Sequence, residues 1–194
     1  MKRFLIPFLL LSSLLMSCNN SADDEYRIHG TVCTDQLEGV LIFLVPLHDE
    51  SAAVVDSVEI HDRHFEFTGH DHWMATVRLH RSFRMGCQDL LVVTEPGDIN
   101  VVIDTISYGG GTPQNDSLQV WKDRTIAYTR FGNMLTRAKH EAMADNDTLN
   151  VNFCQHQLDS LRQDYTGFTH RLTSNLGEGI LHDFLLRLYP MDKQ

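Results

Sequence analysis

The sequence predicts an α+β fold: an antiparallel β-sandwich of about seven strands followed by a helical hairpin. Three observations predict it. Between Tyr26 and Thr105 apolar residues come in short alternating runs separated by turn residues. From Pro113 to Leu188 they recur instead at steps of three and four, the spacing of amphipathic helices. No strand-helix-strand unit of ~30 residues interrupts the first region, which argues against a parallel α/β sheet.

The elements follow in order. Ile28, Gly30 and Val32 alternate with His29, Thr31 and Cys33, as in a half-buried strand. Leu41 to Val45 is a continuous apolar run stopped by Pro46, as for a strand covered on both faces. Val54, Val55, Val58 and Ile60 form the next strand, and Phe65 and Phe67 alternate with His64, Glu66 and Thr68. The Asp62-Arg63 link between these two reads as a hairpin. Trp73, Ala75, Val77 and Leu79 alternate with Met74, Thr76, Arg78 and His80. Leu90 to Thr94 is a further run, with a turn at Pro96-Gly97, and Ile99, Val101 and Ile103 complete the set.

In the helical region Val120, Ala127, Phe131, Met134 and Ala138 share one face of the first helix. Cys154, Leu158, Leu161, Tyr165, Phe168 and Leu172 form the stripe of the second, which packs most simply on the sandwich. Asp145-Asn146-Asp147 reads as the loop and cap between them. Gly177 and Gly179 end the second helix, and a short third one, Ile180 to Leu188, stops before Pro190. The organisation is therefore a leader at 1–17, a tether at 18–25, a β-sandwich at 26–112 and a helical region at 113–194.

The leader carries the most specific signal. Lys2 and Arg3 precede residues 4–16, mostly apolar and too short to span a membrane, which takes ~20 such residues. Leu15-Met16-Ser17-Cys18 resembles a bacterial lipobox. That resemblance implies lipid attachment at Cys18, cleavage before it, and anchoring by several acyl chains. The following Ser21-Ala22-Asp23-Asp24-Glu25 is a polar, acidic tether that resembles the export signals of surface-exposed lipoproteins in the Bacteroidetes. The chain's partner is then the membrane, and its location the bacterial outer membrane, on the periplasmic face or the cell surface.

With 194 residues and a formal net charge of −10, the chain is ordinary globular material with an acidic surface. Acidity argues against nucleic acid and against docking on anionic lipid, both of which call on Lys and Arg. Of the four cysteines, Cys18 is assigned to lipid. Cys33 and Cys87 are candidates for a disulfide in the oxidising envelope. Cys154 falls on the apolar stripe of the second helix, where a thiol acts as a small hydrophobe. No C-x-x-C pair exists, and no zinc-type cysteine spacing.

Strand, Gly109-Gly110-Gly111 and helix follow in the order a phosphate loop uses. Such a loop needs a Lys and then Ser or Thr. Here Thr112, Pro113, Gln114, Asn115 and Asp116 follow, and Asp116 would repel phosphate. Thr112 or Asn115 reads as a helix cap with Pro113 in the first turn. Among the eleven histidines, His61, His64, His70 and His72 crowd one stretch. His70 and His72 are the metal candidates, two imidazoles on one strand face. His64 lies about 20 Å from His70 along an extended chain, so the four do not make one site. Trp73 and Trp121 are candidates for a sugar platform, set against core packing.

Four motifs in order resemble one family. They are Tyr26-Arg27-Ile28-His29-Gly30-Thr31-Val32, Val55-Asp56-Ser57-Val58 with His64-Phe65-Glu66-Phe67, Glu95-Pro96-Gly97-Asp98-Ile99-Asn100-Val101, and Gly111-Thr112-Pro113-Gln114-Asn115-Asp116. The chain from Tyr26 to about Arg124 is similar to a domain of unknown function of Bacteroidetes envelope lipoproteins. That domain usually stands ahead of a thioredoxin-like domain. Relatives carry Asn-Gly or Asp-Gly where Asp62-Arg63-His64 stands here, a departure from the residues a tight type I′ turn favours. The thioredoxin-like domain would begin near Pro190, and no residue here matches its catalytic cysteines. The resemblance thus implies a non-catalytic module without cofactor, whose partner is a separately encoded thioredoxin-like protein. Two other classes remain open: a stand-alone accessory of a thiol-disulfide system, and a surface binder of glycan or metal.

Overall fold

The computed structural model describes residues 24–48, 55–80 and 86–191. The leader, Cys18 and most of the tether lie outside them, and so does Val54 of the expected third strand. The strands are β1 (Tyr26–Val32), β2 (Leu41–Pro46), β3 (Asp56–Glu59), β4 (His64–Gly69), β5 (Met74–Leu79), β6 (Leu90–Val93), β7 (Gly97–Ile103) and β8 (Tyr108–Gly110). A 3-10 turn at Asp35–Leu37 follows β1. The helices are α1 (Pro113–Ala144), α2 (Thr148–Leu176) and α3 (Ile180–Leu188). The α+β class read from the sequence is the class observed.

The strands form two four-stranded sheets, ordered β4-β1-β7-β8 and β3-β2-β5-β6. All pairs are antiparallel except β1 with β7, which run parallel from Tyr26↔Gly97 to Val32↔Ile103. The whole second sheet is inserted between these two strands in sequence, so their connection is a long crossover rather than a hairpin. The expectation of a wholly antiparallel sandwich is corrected in this one pair. Burial along β1 alternates strictly at Tyr26, Ile28, Gly30 and Val32, so one face of the strand meets the core. Ile28, Phe67, Ile99 and Val101 from the first sheet meet Ile42, Leu44, Val77 and Leu90 from the second.

The β3–β4 ribbon passes from one sheet to the other through a two-residue turn. Asp62 (φ +50°) and Arg63 (φ +66°) both lie in the left-handed region, and His61 and His64 exchange both backbone hydrogen bonds at 3.0 and 2.8 Å. This is the hairpin read from the sequence, in a type I′ geometry without the usual glycine. Arg63 is held there by the end of β1: its carbonyl accepts from Val32 N and its Nε donates to Val32 O, both at 3.0 Å.

Helices cover the outer face of the second sheet. Met74 of β5 and Val93 of β6 pack with Leu118 and Trp121 of α1 and with Leu181 and Leu185 of α3. Leu118, Leu181 and Leu185 are almost wholly buried, and each contributes roughly 1.5–3 kcal/mol of transfer free energy. The result is three layers: sheet, sheet, helices.

α1 and α2 form the expected antiparallel hairpin, joined through Asn146 (φ +56°) and capped by Asp147, whose carboxylate accepts from Asn150 N at 3.1 Å. That bond holds the Asp147 carboxyl below its ordinary range. Two expectations about the helical faces are corrected. Val120, Phe131 and Met134 face solvent, as do Ala127 and Ala138. The face of α1 that is buried carries Leu118, Trp121, Leu135 and Ala142. Between them Thr125 Oγ1 meets Tyr165 OH at 2.7 Å and the Tyr128 ring stacks on Tyr165 at 4.3 Å. The α2 stripe accordingly packs on α1 and α3, not on the sandwich. Tyr165 touches Tyr128 and Tyr189, and Phe168, Leu172 and Leu176 close over the α1–α3 cluster.

Candidate functional site

The glycine segment becomes β8. Val101 pairs with Gly109 and Asn100 with Gly110. A Cβ on Gly111, at φ +105°, would stand 2.6 Å from Asp98 O, so the glycines let this strand and its turn close onto β7. The helix N-terminus beyond it is occupied by the chain's own carboxylate. Glu95, from the β6–β7 turn and 8% exposed, accepts from Gln114 N at 2.7 Å and Asn115 N at 3.2 Å through Oε1, and from Gln114 Nε2 at 3.0 Å through Oε2. Thr112 is the N-cap residue with Pro113 next, as expected, yet its side chain makes no capping bond. Asp116 accepts from Gly111 N at 2.8 Å. A second anion would meet two carboxylates where a phosphate loop offers bare N–H groups.

The same junction orients the third helix. Asn115 forms a two-bond bridge with β6: Nδ2 donates to Val93 O at 2.8 Å and Oδ1 accepts from Val93 N at 2.9 Å. Gln114 Oε1 accepts from Leu181 N at 2.9 Å. The two motifs Glu95-Pro96-Gly97-Asp98 and Thr112-Pro113-Gln114-Asn115 therefore interlock, and together they set α3 against the second sheet.

Between α3 and the β2 and β5 ends lies a groove of about 730 Å³. Trp73, Met74, Ile180, Phe184 and Leu188 give it an apolar lining. His48, His72, Asp183 and Arg187 line it as well. The Trp73 ring lies 5.2 Å from that of His48, and its indole Nε1 is buried with no acceptor among the described residues. Leu47 and Leu188 are 43% and 50% exposed beside it, and Met191 follows at the end of the described chain. Trp121 instead is buried edge-on to Phe184 in the helical junction, as core.

His72 lies outside β5, so the expected strand-face pair with His70 does not form. Its Nδ1 contacts Thr94 O at 2.6 Å and its Nε2 contacts Asp24 Oδ1 at 3.0 Å. Both partners are acceptors, so only the imidazolium donates to both. Burial pulls this imidazole's pKa down, but the bonds to Asp24 and Thr94 outweigh it and raise it. His70 is exposed. His29, His61 and His64 line a second groove of about 550 Å³ on the first sheet. There His29 faces Asp98 at 3.3 Å and Glu66 at 3.6 Å, and His61 faces Glu59 at 3.4 Å and Glu38 at 3.5 Å. Among the described residues no group of three or more His, Cys, Asp or Glu could hold a metal.

Cys33 and Cys87 are brought to neighbouring segments, Cys33 N donating to Ile103 O and Gln88 N to Asp104 O, and each thiol lies in the other's electrostatic environment, with Asp104 beside Cys33. Burial, and then Asp104, pushes the Cys33 thiol up; burial and then Cys33 do the same for Cys87. Cys154 is buried on α2, as expected of a small hydrophobe.

No protein-family model matches this chain, and no curated protein or solved structure matches it. Sequence reasoning missed Glu95 as a cap, Asn115 as a bridge to β6, and the Trp73 groove. The first had a readable signal, an acidic residue in an otherwise tight turn; the groove had none, because it joins β2, β5 and α3.

Proposed function

We propose that this protein is a lipid-anchored module of a bacterial cell envelope that binds or positions a partner protein and does no chemistry of its own. Acylated Cys18 holds it to the outer membrane, and the acidic tether spaces the sandwich from the lipid. The partner suggested by the four-motif resemblance is a separately encoded thioredoxin-like protein. The observation that carries the reading is the Trp73 groove: its apolar lining of Trp73, Met74, Ile180 and Phe184 is bordered by exposed Leu47 and Leu188, and its α3 wall ends at Leu188, two residues before Pro190. In the fused relatives that is where the next domain would start. Apolar side chains of a docked partner would cover Leu47 and Leu188.

The non-catalytic part is supported by the same geometry. Glu95 fills the helix N-terminus, His29, His61 and His72 are engaged with neighbouring carboxylates, and the Cys33 and Cys87 thiols are pushed away from the thiolate form that exchange enzymes need. Two substitutions test the reading. Cys18→Ala should abolish incorporation of labelled palmitate and leave the chain uncleaved. Leu188→Asp should keep the thermal transition and lose co-purification of one defined envelope protein from detergent-solubilised membranes. Palmitate retained by Cys18→Ala, or the same co-purified protein retained by Leu188→Asp, counts against it.

A further inference from the structure

Cys33 leaves the end of β1 in the first sheet, and Cys87 precedes β6 in the second. Both segments are fastened to consecutive carbonyls at the end of β7. Cys33 N donates to Ile103 O at 3.2 Å, and Gln88 N donates to Asp104 O at 2.7 Å. Ser107 ties the second segment down again, its Oγ donating to Gln88 O at 2.6 Å. The two cysteines thus sit on neighbouring segments of a backbone frame that is already hydrogen-bonded, and each thiol lies in the electrostatic environment of the other. One is open to solvent and the other buried. An exposed thiol over a buried one is the arrangement in which an external disulfide reaches the first and the second resolves it.

We infer that Cys33 and Cys87 are a disulfide-forming pair that staples the two sheets of the sandwich, with Cys33 as the entry thiol and a low-molecular-weight or protein disulfide as the oxidant. The Cys33 thiolate attacks one sulfur of the oxidant, whose S–S bond breaks and releases one thiol. Cys87 gives up its proton and attacks Cys33 Sγ in the mixed disulfide, releasing the second thiol. Two electrons pass from the cysteine pair to the oxidant, which leaves as two thiols. Cys154, in the helical layer, takes no part. The pair closes a long loop, from residue 33 to residue 87, so the bond restricts the unfolded chain more than the folded one. Because the frame holds both segments without it, the reduced chain also folds, and the bond adds stability to a structure already in place.

The in vitro arm of the test does not depend on the anchor. The reduced full chain in detergent is incubated with glutathione disulfide under native conditions, alkylated, and mapped without reduction. The expected result is one peptide pair linking Cys33 to Cys87, with Tm raised by roughly 5–15 °C over the reduced chain. Cys87→Ser should trap a stable mixed disulfide at Cys33 and show no such rise. Cys33→Ser should leave Cys87 unmodified while folded. A folded chain that forms no Cys33–Cys87 link, or that links only after denaturant is added, overturns the inference. In cells, both residues should alkylate only after reduction. If the purified chain links but the cellular chain is found reduced, the envelope location fails and the pair stands.

Discussion

Replacing Glu95 by Ala removes one buried carboxylate that accepts three N–H groups from the first turn of α1. Asn115 is buried and Gln114 half-buried, so water cannot fully replace the lost acceptor. A hydrogen bond to a charged group contributes ~1.5–3 kcal/mol, and a buried donor left unsatisfied costs ~1–3 kcal/mol. With partial rehydration at Gln114 the total comes to about 3–5 kcal/mol. That is a large share of the ~5–15 kcal/mol typical of a domain. Glu95→Gln keeps an acceptor at Oε1 but gives up the charge facing the helix dipole, worth about 1–2 kcal/mol. Urea denaturation of residues 19–194, followed by circular dichroism at 222 nm, measures both. The two variants should shift the midpoint in that order with an unchanged m-value, and Glu95→Ala should lower Tm by about 10 °C. A loss under ~1 kcal/mol for Glu95→Ala, or equal losses for the two, would refute the idea that this carboxylate holds the helix end.

Three further outcomes follow from the geometry. Burial lowers the Lys122 pKa to about 8, with Nζ only 3.4 Å from Leu91 O. The unfolded chain therefore binds the extra proton between pH 8 and the ordinary lysine value of 10.5, and stability should rise with pH across that window; Lys122→Met should flatten the rise and add about 1–3 kcal/mol at pH 7. The His72 pKa is raised above 6.5, so its tie to Asp24 stabilises fully below pH 6.5 and is lost as pH climbs through the folded value; NMR titration should show that pKa falling in Asp24→Asn, and no change there would break the account of the tether's attachment. On α1, Phe131→Ser should change stability by under ~0.5 kcal/mol and Leu135→Ala should cost ~2–4 kcal/mol, since Phe131 is 42% and Leu135 7% exposed; the reverse order in chemical denaturation would restore the face expected from sequence.

Much of the fold could be read because it is local. The alternation in β1, the Asp145-Asn146-Asp147 loop and the bounds of α3 are each written in a few adjacent residues. What could not be read is pairwise in space. The parallel β1–β7 ladder joins strands that flank a whole sheet, and Glu95 caps a helix from 19 residues upstream. The buried face of α1 was misread because Thr125 and Tyr128 serve it as polar and aromatic partners of Tyr165, while Val120, Phe131 and Met134 supply a more apolar stripe that faces water. The Asp62-Arg63 hairpin could be read, but its turn type could not, because its left-handed backbone is stabilised by Val32, which lies far away in sequence. Of the candidate sites, Cys33 and Cys87 were legible as candidates for pairing, though not as neighbours in space. The metal pair was a strand-face argument, and His72 instead precedes the strand and is bound to Thr94 and Asp24.

The central claim is that a partner protein docks in the Trp73 groove while the chain is anchored in its own membrane. A photo-crosslinking residue placed at Leu188, with a second chain carrying it at Thr68 on the first sheet, tests this in intact cells. The account predicts a discrete adduct at Leu188 that contains a different envelope protein, absent at Thr68 and lost when Leu47→Asp is added. Equal labelling at both positions, or an adduct made only of copies of this chain, would contradict it.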